Sequence, residues 1–528
     1  MLALSAVFLF ACSGGGSSSS SSSLGSSSAS GGSCSGSNTL SASGGSSITI
    51  SGTAQYENRT YDKTGFTGVD CLPIRYAKVQ VMQNGAVSAS AVTDASGNFS
   101  VSSGIAAGSV YVRVVSDAGS PFSAIVQDNR DSSTYSVRSA DITAKSGETW
   151  TAKLAASVTD VGQVFNIFDN IIKTQDVLKN LSGTAAPLIT AYWYSGKTEG
   201  TYYSYSGAKH IIDLLGKTTD SDAYDDSVIL HEMGHYAAQV YSKDSSPGGT
   251  HRLTGHYDIR LTWSEGWASF FGSLVKSKYS EATPQWYVDT NGTSGTGAST
   301  LLFSFDIDTP SYSTLAVGAD NEVAVSNVLW HIYASPADST HLALGSDKIW
   351  KVFGTDIPAA TTADFETFYD KWVANAYPSL AALLADRAIK YAADSYESDN
   401  TAGTARTIAA GTSEVHTFFP ASDVDWFQIS VTSGATYSFT TSALGDGADT
   451  LLTLYDTNGT TQLAQSDDID STTKASKITW VANATKTVYI KCEPYRPLVS
   501  GDILYSASAS NPVAVVKYGY YTIAVSSP

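Results

Sequence analysis

Charge is scarce in this chain, and positive charge scarcer still. Only 15% of its 528 residues are charged, and 31 Lys and Arg stand against 49 Asp and Glu, a formal net charge of −18. That balance argues against nucleic acid, and against an anionic membrane surface, as a partner. Cysteine is nearly absent: Cys12, Cys34, Cys71 and Cys492 lie far apart, show no zinc-finger spacing and are too few for a dense disulfide framework. Long apolar runs are missing as well. Met1 to Ala11 is too short to span a bilayer, and no other stretch is long and apolar enough for a transmembrane helix. What is plentiful, namely Ser, Gly, Thr and Tyr, suits a folded secreted protein, and the length allows about two to four domains with a sizeable core in each.

The most specific signal is Asp226-Ser227-Val228-Ile229-Leu230-His231-Glu232-Met233-Gly234-His235-Tyr236. Two histidines four apart lie one above the other on a single helix face. That spacing holds one zinc ion through two imidazole nitrogens, with Glu232 between them free to take a proton from a water on the metal. Asp225 and Asp226 stand where helix N-caps belong, and Val228 to Leu230 is apolar, so the motif has its helical context. The bland reading of such a pair is two buried histidines bonded to backbone carbonyls. Catalytic zinc takes three protein ligands and leaves one position for water. Downstream, Leu261-Thr262-Trp263-Ser264-Glu265-Gly266-Trp267-Ala268-Ser269-Phe270-Phe271 reads as the start of a second helix, with Trp267, Phe270, Phe271 and Leu274 at helical spacing. Glu265 falls in its expected first turn, where an acidic residue is favoured by the helix dipole alone. Behind an H-E-x-x-H helix it is the third ligand, and Gly266 beside it lets another backbone or a substrate come close.

These residues resemble the gluzincin metallopeptidases: His231-Glu232-x-x-His235 with Ser264-Glu265-Gly266-Trp267-Ala268 is similar to the zinc segments of thermolysin, N-E-G-F-A aminopeptidases and fungalysins. The helix Asn321-Glu322-Val323-Ala324-Val325-Ser326-Asn327-Val328-Leu329-Trp330-His331-Ile332-Tyr333 resembles the G-E-V-W-A helix of fungalysins. The resemblance implies His231, His235 and Glu265 as zinc ligands and Glu232 as general base. It also implies an edge strand, within Tyr202 to Ser206 and Ala208 to Ile212, that pairs with a peptide substrate. Two positions depart from the pattern. Ser269 stands where thermolysin-type enzymes place an aspartate that orients a zinc histidine, and Gly318 stands where fungalysins place an oxyanion histidine. His251, His256, Tyr257, His331 and Tyr333 are the candidates for that second role, and a histidine in the turn-rich loop Asp244 to His251 reads as an ordinary surface residue.

Around this centre the texture changes twice. Leu9-Phe10-Ala11-Cys12 resembles a bacterial lipobox with Cys12 as the lipidated residue, followed by an almost pure Ser/Gly tether. From Ser46 the pattern alternates with period two through Ser47 to Ala54, Ala77 to Met82, Val110 to Val115 and Thr149 to Leu154. With Thr93-Asp94-Ala95-Ser96-Gly97-Asn98-Phe99, it resembles a carboxypeptidase-regulatory-like sandwich, by resemblance a spacer or binding module. A helix from Val161 through Leu178 opens the centre. From Ser395 strands return, and Asp423-Val424-Asp425-Trp426-Phe427, Asp449 to Asp456 and Tyr518 to Ile523 resemble the bacterial pre-peptidase C-terminal domain. Asp423, Asp425, Asp467, Asp468 and Asp470 are calcium candidates there, against the reading of ordinary turn aspartates.

The fold expected is multi-domain. A signal segment (1–12) and tether (13–45) lead into an N-terminal β-sandwich (46–155). A central, mostly helical α+β zincin-like catalytic domain (156–392) and a C-terminal β-sandwich (393–528) follow. The function expected is a zinc metallopeptidase, an endopeptidase acting on protein or peptide substrates, anchored through Cys12 at a bacterial cell envelope or secreted. The alternative from another class is a surface adhesin or glycan-binding protein that keeps a peptidase fold. Intact Glu232 favours the enzyme, since a structural zinc site needs no base. Replacing Cys12 with Ala is expected to move the protein from the membrane fraction to the soluble one; wild type recovered solely in culture fluid, with no lipid attached, contradicts the anchor.

Overall fold

The computed structural model describes residue 34 and residues 39–44, 48–102, 104–292, 301–310, 316–334, 341–470, 473–495 and 516–527. The lipobox-like segment at Cys12 and most of the Ser/Gly tether lie outside the described residues. The chain forms two compact units: Met1–Ser242, Gly248–Thr250 and Trp267–Ser311 in one; Lys243–Pro247, His251–Gly266 and Tyr312–Pro528 in the other.

In the first unit the alternating stretches become strands as expected. Thr49–Asp62 is bordered by Glu148–Ala156 in parallel and Gly65–Pro73 antiparallel, and Thr39–Gly44 adds an outer strand ahead of residue 46. Cys34 and Cys71 form a disulfide that ties the start of this module to the strand Gly65–Pro73, a pairing the cysteine spacing did not disclose. Asp94 shapes its turn by accepting N–H bonds from Ser96 and Asn98, each at 2.8 Å.

The second sheet runs on beyond residue 155. Ala124–Asp128 pairs in parallel with Ile189–Tyr192, which pairs with Lys209–Asp213, and Tyr202–Ser206 closes the sheet as its edge. The N-terminal module is therefore built into the centre and is not a detached spacer. Helix α1 (Gly162–Ser182) buries Val164, Phe165, Ile167, Phe168, Ile171 and Ile172, and ends at Gly183, whose positive φ of 72° lets its N–H reach Lys179 O. Its polar residues are buried too. Asp169 takes Arg75, from the connection after strand Gly65–Pro73, at 2.6 Å and the hydroxyl of Tyr56, from strand Thr49–Asp62, at 3.1 Å. Helix α2 (Asp226–Tyr241) and helix α3 (Ile259–Lys278) carry the motif residues.

The second unit holds helix α4 (Glu322–Tyr333), capped by the Asn321 side chain on the N–H groups of Val323 and Ala324, and shorter helices at Ser346–Lys351, Phe365–Ala374 and Ala381–Asp386. Its last part is the expected C-terminal β-sandwich, with Phe427, Phe439, Leu452, Leu454, Ile490 and Ile523 in the core. This sandwich is fastened to the helices rather than loosely appended. Buried Glu366 accepts the N–H groups of Lys517 and Tyr518, and buried Asp446 accepts those of Ala319 and Lys390.

A chain starting at residue 156 leaves Asp169 buried without Arg75 and Tyr56, and strand Ile189–Tyr192 without one neighbour. Breaking a buried pair costs about 3–5 kcal/mol, a large share of a total stability of about 5–15 kcal/mol. Residues 156–528 are expected to unfold with a clearly smaller calorimetric enthalpy than the full chain, by more than the missing residues account for, because only the second unit still melts cooperatively. An enthalpy reduced only in proportion to the residues removed would show that the N-terminal strands are dispensable.

Candidate metal centre

Helix α2 is anchored at its first turn. Asn166 and Asn170 of α1 both donate to Asp226 Oδ1 at 2.7 Å, so the polar stripe of one helix fixes the start of the next. One turn on, His231 and His235 stand on the same face, their Nε2 atoms 3.3 Å apart. Two nitrogens each about 2.0–2.1 Å from one tetrahedral ion stand about 3.3–3.4 Å apart. The imidazole pair thus has the edge length of a zinc site. Glu232 is 3% exposed, and its Oε2 accepts the backbone N–H of Tyr203 at 2.7 Å, from the edge strand of the sheet. The edge of the Tyr287 ring packs at right angles to the His231 ring, centroids 6.0 Å apart.

Helix α3 crosses α2 closely. A Cβ on Gly234 would lie 2.6 Å from Ala268 Cα, and Trp267 Nε1 donates to Gly234 O at 3.2 Å. This crossing brings Ser269 Oγ to 3.2 Å from His231 Nδ1. With Nδ1 carrying the proton for Ser269, Nε2 has its lone pair for a metal. Glu265 lies one turn before Ser269 on the same helix, so helical periodicity gives the two a common face. Its expected place in a first turn is corrected: α3 starts at Ile259, after Asp258, whose backbone carbonyl takes Leu261 N and Thr262 N. Glu265 sits in the second turn, and the helix-dipole explanation for a buried acid there falls away. Gly266 does allow a close approach, by Val325 and the Glu322 carbonyl of α4.

His251 is not the surface histidine expected. Its side chain is 12% exposed, with Nδ1 at 2.7 Å from Glu322 Oε2 and Nε2 at 3.7 Å from Glu265 Oε2. Tyr257 meets it edge-on, ring centroids 6.5 Å apart. His256, His331 and Tyr333 are engaged differently. His256 pairs with Asp320 at 2.9 Å, which raises its pKa; the His331 ring packs at a tilt against His341, and Tyr333 at a tilt against Trp330. Gly318 adopts a φ of +89°, with Asp320 Oδ1 where a side chain would begin. Sequence reading missed the Glu322–His251 pair and Tyr287, because both depend on chain segments far apart in sequence.

The calcium candidates of the C-terminal sandwich divide. Asp423 and Asp425 are buried with Asp399, beside the half-buried Glu397, and each of these four has a buried carboxylate oxygen without a hydrogen-bond partner. Burial, a hydrogen bond from Glu397 and the charge of Asp425 push Asp423 up to about 8. Asp467 and Asp468 instead act on Asp449.

Residues 175–389 match the family model of the mycolysin C-terminal domain, a stretch that contains His231, Glu232, His235, Glu265 and Glu322 and gives this segment a peptidase context. No curated protein matches the chain. Among solved structures, similarity extends to the pre-peptidase C-terminal domain of a collagenase from Bacillus anthracis, at 13% identity over 23% of this chain and 93% of that one, with a TM-score of 0.17. It extends also to PliG of Aeromonas hydrophila, a periplasmic inhibitor of g-type lysozyme, at 12% identity over 24% of this chain and 96% of that one, again with a TM-score of 0.17. At such scores neither likeness bears on function.

Proposed function

We propose that the protein is a zinc metallopeptidase of the gluzincin kind, tethered to a bacterial envelope through Cys12, with His231, His235 and Glu265 as metal ligands and Glu232 as general base. One observation carries the reading: the two imidazole Nε2 atoms stand at the edge length of a tetrahedral zinc site, with a hydroxyl on His231 Nδ1 and a carboxylate between the two rings in sequence. When bound, zinc lowers the pKa of a water and polarises the scissile carbonyl. The residues do the rest. Glu232, fixed through Oε2 by the Tyr203 N–H, takes the water's proton at its carboxylate and passes it to the leaving amine nitrogen. Among the described residues the edge strand Tyr202–Ser206 pairs with a strand on one side only, and its other side, apart from the Tyr203 N–H held by Glu232, is offered to an extended peptide. The carboxylates of Glu397, Asp399 and Asp423, each with a buried oxygen that has no hydrogen-bond partner, are read as a calcium site, while Asp425 Oδ1 lies 3.4 Å from His416 Nδ1.

Glu232→Gln and Glu265→Gln are expected to fail differently. Glutamine at 232 keeps size but cannot take the proton, so zinc stays bound while turnover falls by about 10²–10⁴. Glutamine at 265 replaces an anionic ligand, so zinc affinity drops and excess zinc partly restores activity. Metal analysis and peptide digestion, with and without chelator, separate these cases. Full zinc occupancy and activity in Glu265→Gln would place the third ligand elsewhere, and tight zinc with no cleavage of any peptide would favour the adhesin.

Ser269 supplies a second test. Ser269→Ala removes the partner of His231 Nδ1 and is expected to weaken zinc binding about 10–100-fold, whereas Ser269→Asp, a stronger acceptor, tightens it. Competition with a zinc-binding dye reads both, and equal affinity in all three proteins would remove Ser269 from this role.

A further inference from the structure

We propose that Asp222, Asp225 and Asp289 form a calcium site at the start of helix α2, separate from the zinc ligands and from the carboxylates of the C-terminal sandwich. All three side chains belong to the first unit and are 6%, 2% and 6% exposed. One oxygen from each lies within 4.8 Å of the others. Among the described residues no lysine or arginine bridges to any of them. Lys197, the cation whose field reaches Asp222, is held by Asp213 at 3.1 Å.

Ordinary structural roles account for only part of this arrangement. Asp225 stands at the N-cap position of α2 yet makes no side-chain capping bond. Its carboxylate turns away to Thr290, accepting the hydroxyl at 2.7 Å and the backbone N–H at 3.3 Å. Asp222 accepts the Thr201 hydroxyl. Asp289 is the independent sign of a ligand. Its side chain is more than nine-tenths buried, and Oδ1 has no hydrogen-bond partner at all. Asp220, beside them in sequence, also has a buried orphan oxygen, and its charge acts on both Asp222 and Asp289. Burial with mutual repulsion pushes Asp222 up to about 7 and drives Asp225 and Asp289 well above the usual carboxylate range. A buried charge is paired or bound to metal, or else it neutralises itself.

The donor set selects the cation. The donors are carboxylate oxygens, with no nitrogen or sulfur, which suits a hard ion and not zinc. Calcium tolerates irregular geometry and six to eight oxygens, so carboxylates from a turn, a helix start and a strand suit it better than the strict octahedron of magnesium. Such an ion would join the 3₁₀ turn Asp222–Tyr224 and the first residue before α2 to the strand Trp286–Thr290, whose Tyr287 packs on His231.

The test uses full-length protein with zinc held constant, stripped of calcium by gel filtration. Calcium binding is counted by equilibrium dialysis, and thermal unfolding is followed with and without 1 mM calcium, about the upper end of the range for extracellular sites. Asp289→Asn and, independently, Asp222→Asn are expected to bind one calcium fewer than wild type and to lose part of the calcium-induced rise in Tm. In calcium-free buffer Asp289→Asn is expected to melt no lower than wild type, since it removes one of the repelling carboxylates. Magnesium at the same concentration is expected to leave the Tm unchanged. Equal calcium stoichiometry in wild type and both variants overturns the site, as does a wild type that binds no calcium; the three aspartates then share protons instead. If Asp289→Asn does not fold, Asp222→Asn and the wild-type stoichiometry still decide. Zinc content, measured in parallel, separates this outcome from failure of the peptidase reading.

Discussion

The close crossing of α2 and α3 is the constraint on which the centre depends. At Gly234 there is room for a hydrogen and for nothing more, because a Cβ would fall 2.6 Å from Ala268 Cα and 3.0 Å from its carbonyl oxygen. One turn along, Gly272 faces Leu230 with its missing side chain at 3.3 Å. Backbones that approach this closely leave little freedom of rotation, and the helix faces that meet are set by sequence spacing alone. His231 and His235 are four apart on one helix; Glu265 and Ser269 are four apart on the other. The contact between His231 and Ser269 therefore fixes which face of this part of α3 is presented to α2.

Charge, scarce in the composition, is spent in the interior. Asp169, Lys173, Asp226 and Lys276 are all buried in the first unit. Asp169 ties α1 to the N-terminal module through Arg75, and Asp226 ties α2 to α1 through Asn166 and Asn170. Lys276 of α3 donates to Ser227 Oγ at 3.0 Å and to Trp286 O, and burial lowers its pKa to about 8. Such groups add little net stability, since desolvation offsets most of their attraction. Their value is discrimination: a slip of one turn in α1 or α2 would strand a buried charge, at a cost of several kcal/mol. Hydrophobic packing alone tolerates such slips more readily. The path from Arg75 through Asp169 and α1 to Asp226 thus carries the N-terminal module's influence to within a turn and a half of His231.

Much of this was legible in sequence because it is local. The period-two stretches became strands, α1 falls where the apolar spacing put it, and α4 falls where the fungalysin resemblance put it. The start of α3 was misjudged by two residues relative to Leu261, because Ile259 and Arg260 follow a loop whose capping bonds come from Asp258, not from a hydrophobic pattern. That small error placed Glu265 in a first turn, where the helix dipole alone would account for an acidic residue. Non-local features were opaque for a physical reason. His251 lies against Glu322, 71 positions on, and Cys34 joins Cys71 across a Ser-rich stretch with no pattern to mark its partner. Among the calcium candidates, the run Asp423-Val424-Asp425 was visible, while Asp399 and Glu397 enter the group from a separate segment.

The edge strand Tyr202–Ser206 gives the proposed chemistry a feature that motif residues alone lack. In an antiparallel edge strand the N–H and C=O groups of alternate residues face away from the sheet. Tyr203 is such a residue, and its outward N–H is given to Glu232. One strand therefore both fixes the proposed base and supplies the open edge on which an extended peptide would lie. Displacing that strand by one residue would exchange inward and outward groups, removing the donor from Glu232 and reversing the edge together. The proposed base and the proposed peptide-binding register are thereby tied to a single backbone alignment, held from behind by Lys209–Asp213 and by the strands that run on into the N-terminal module.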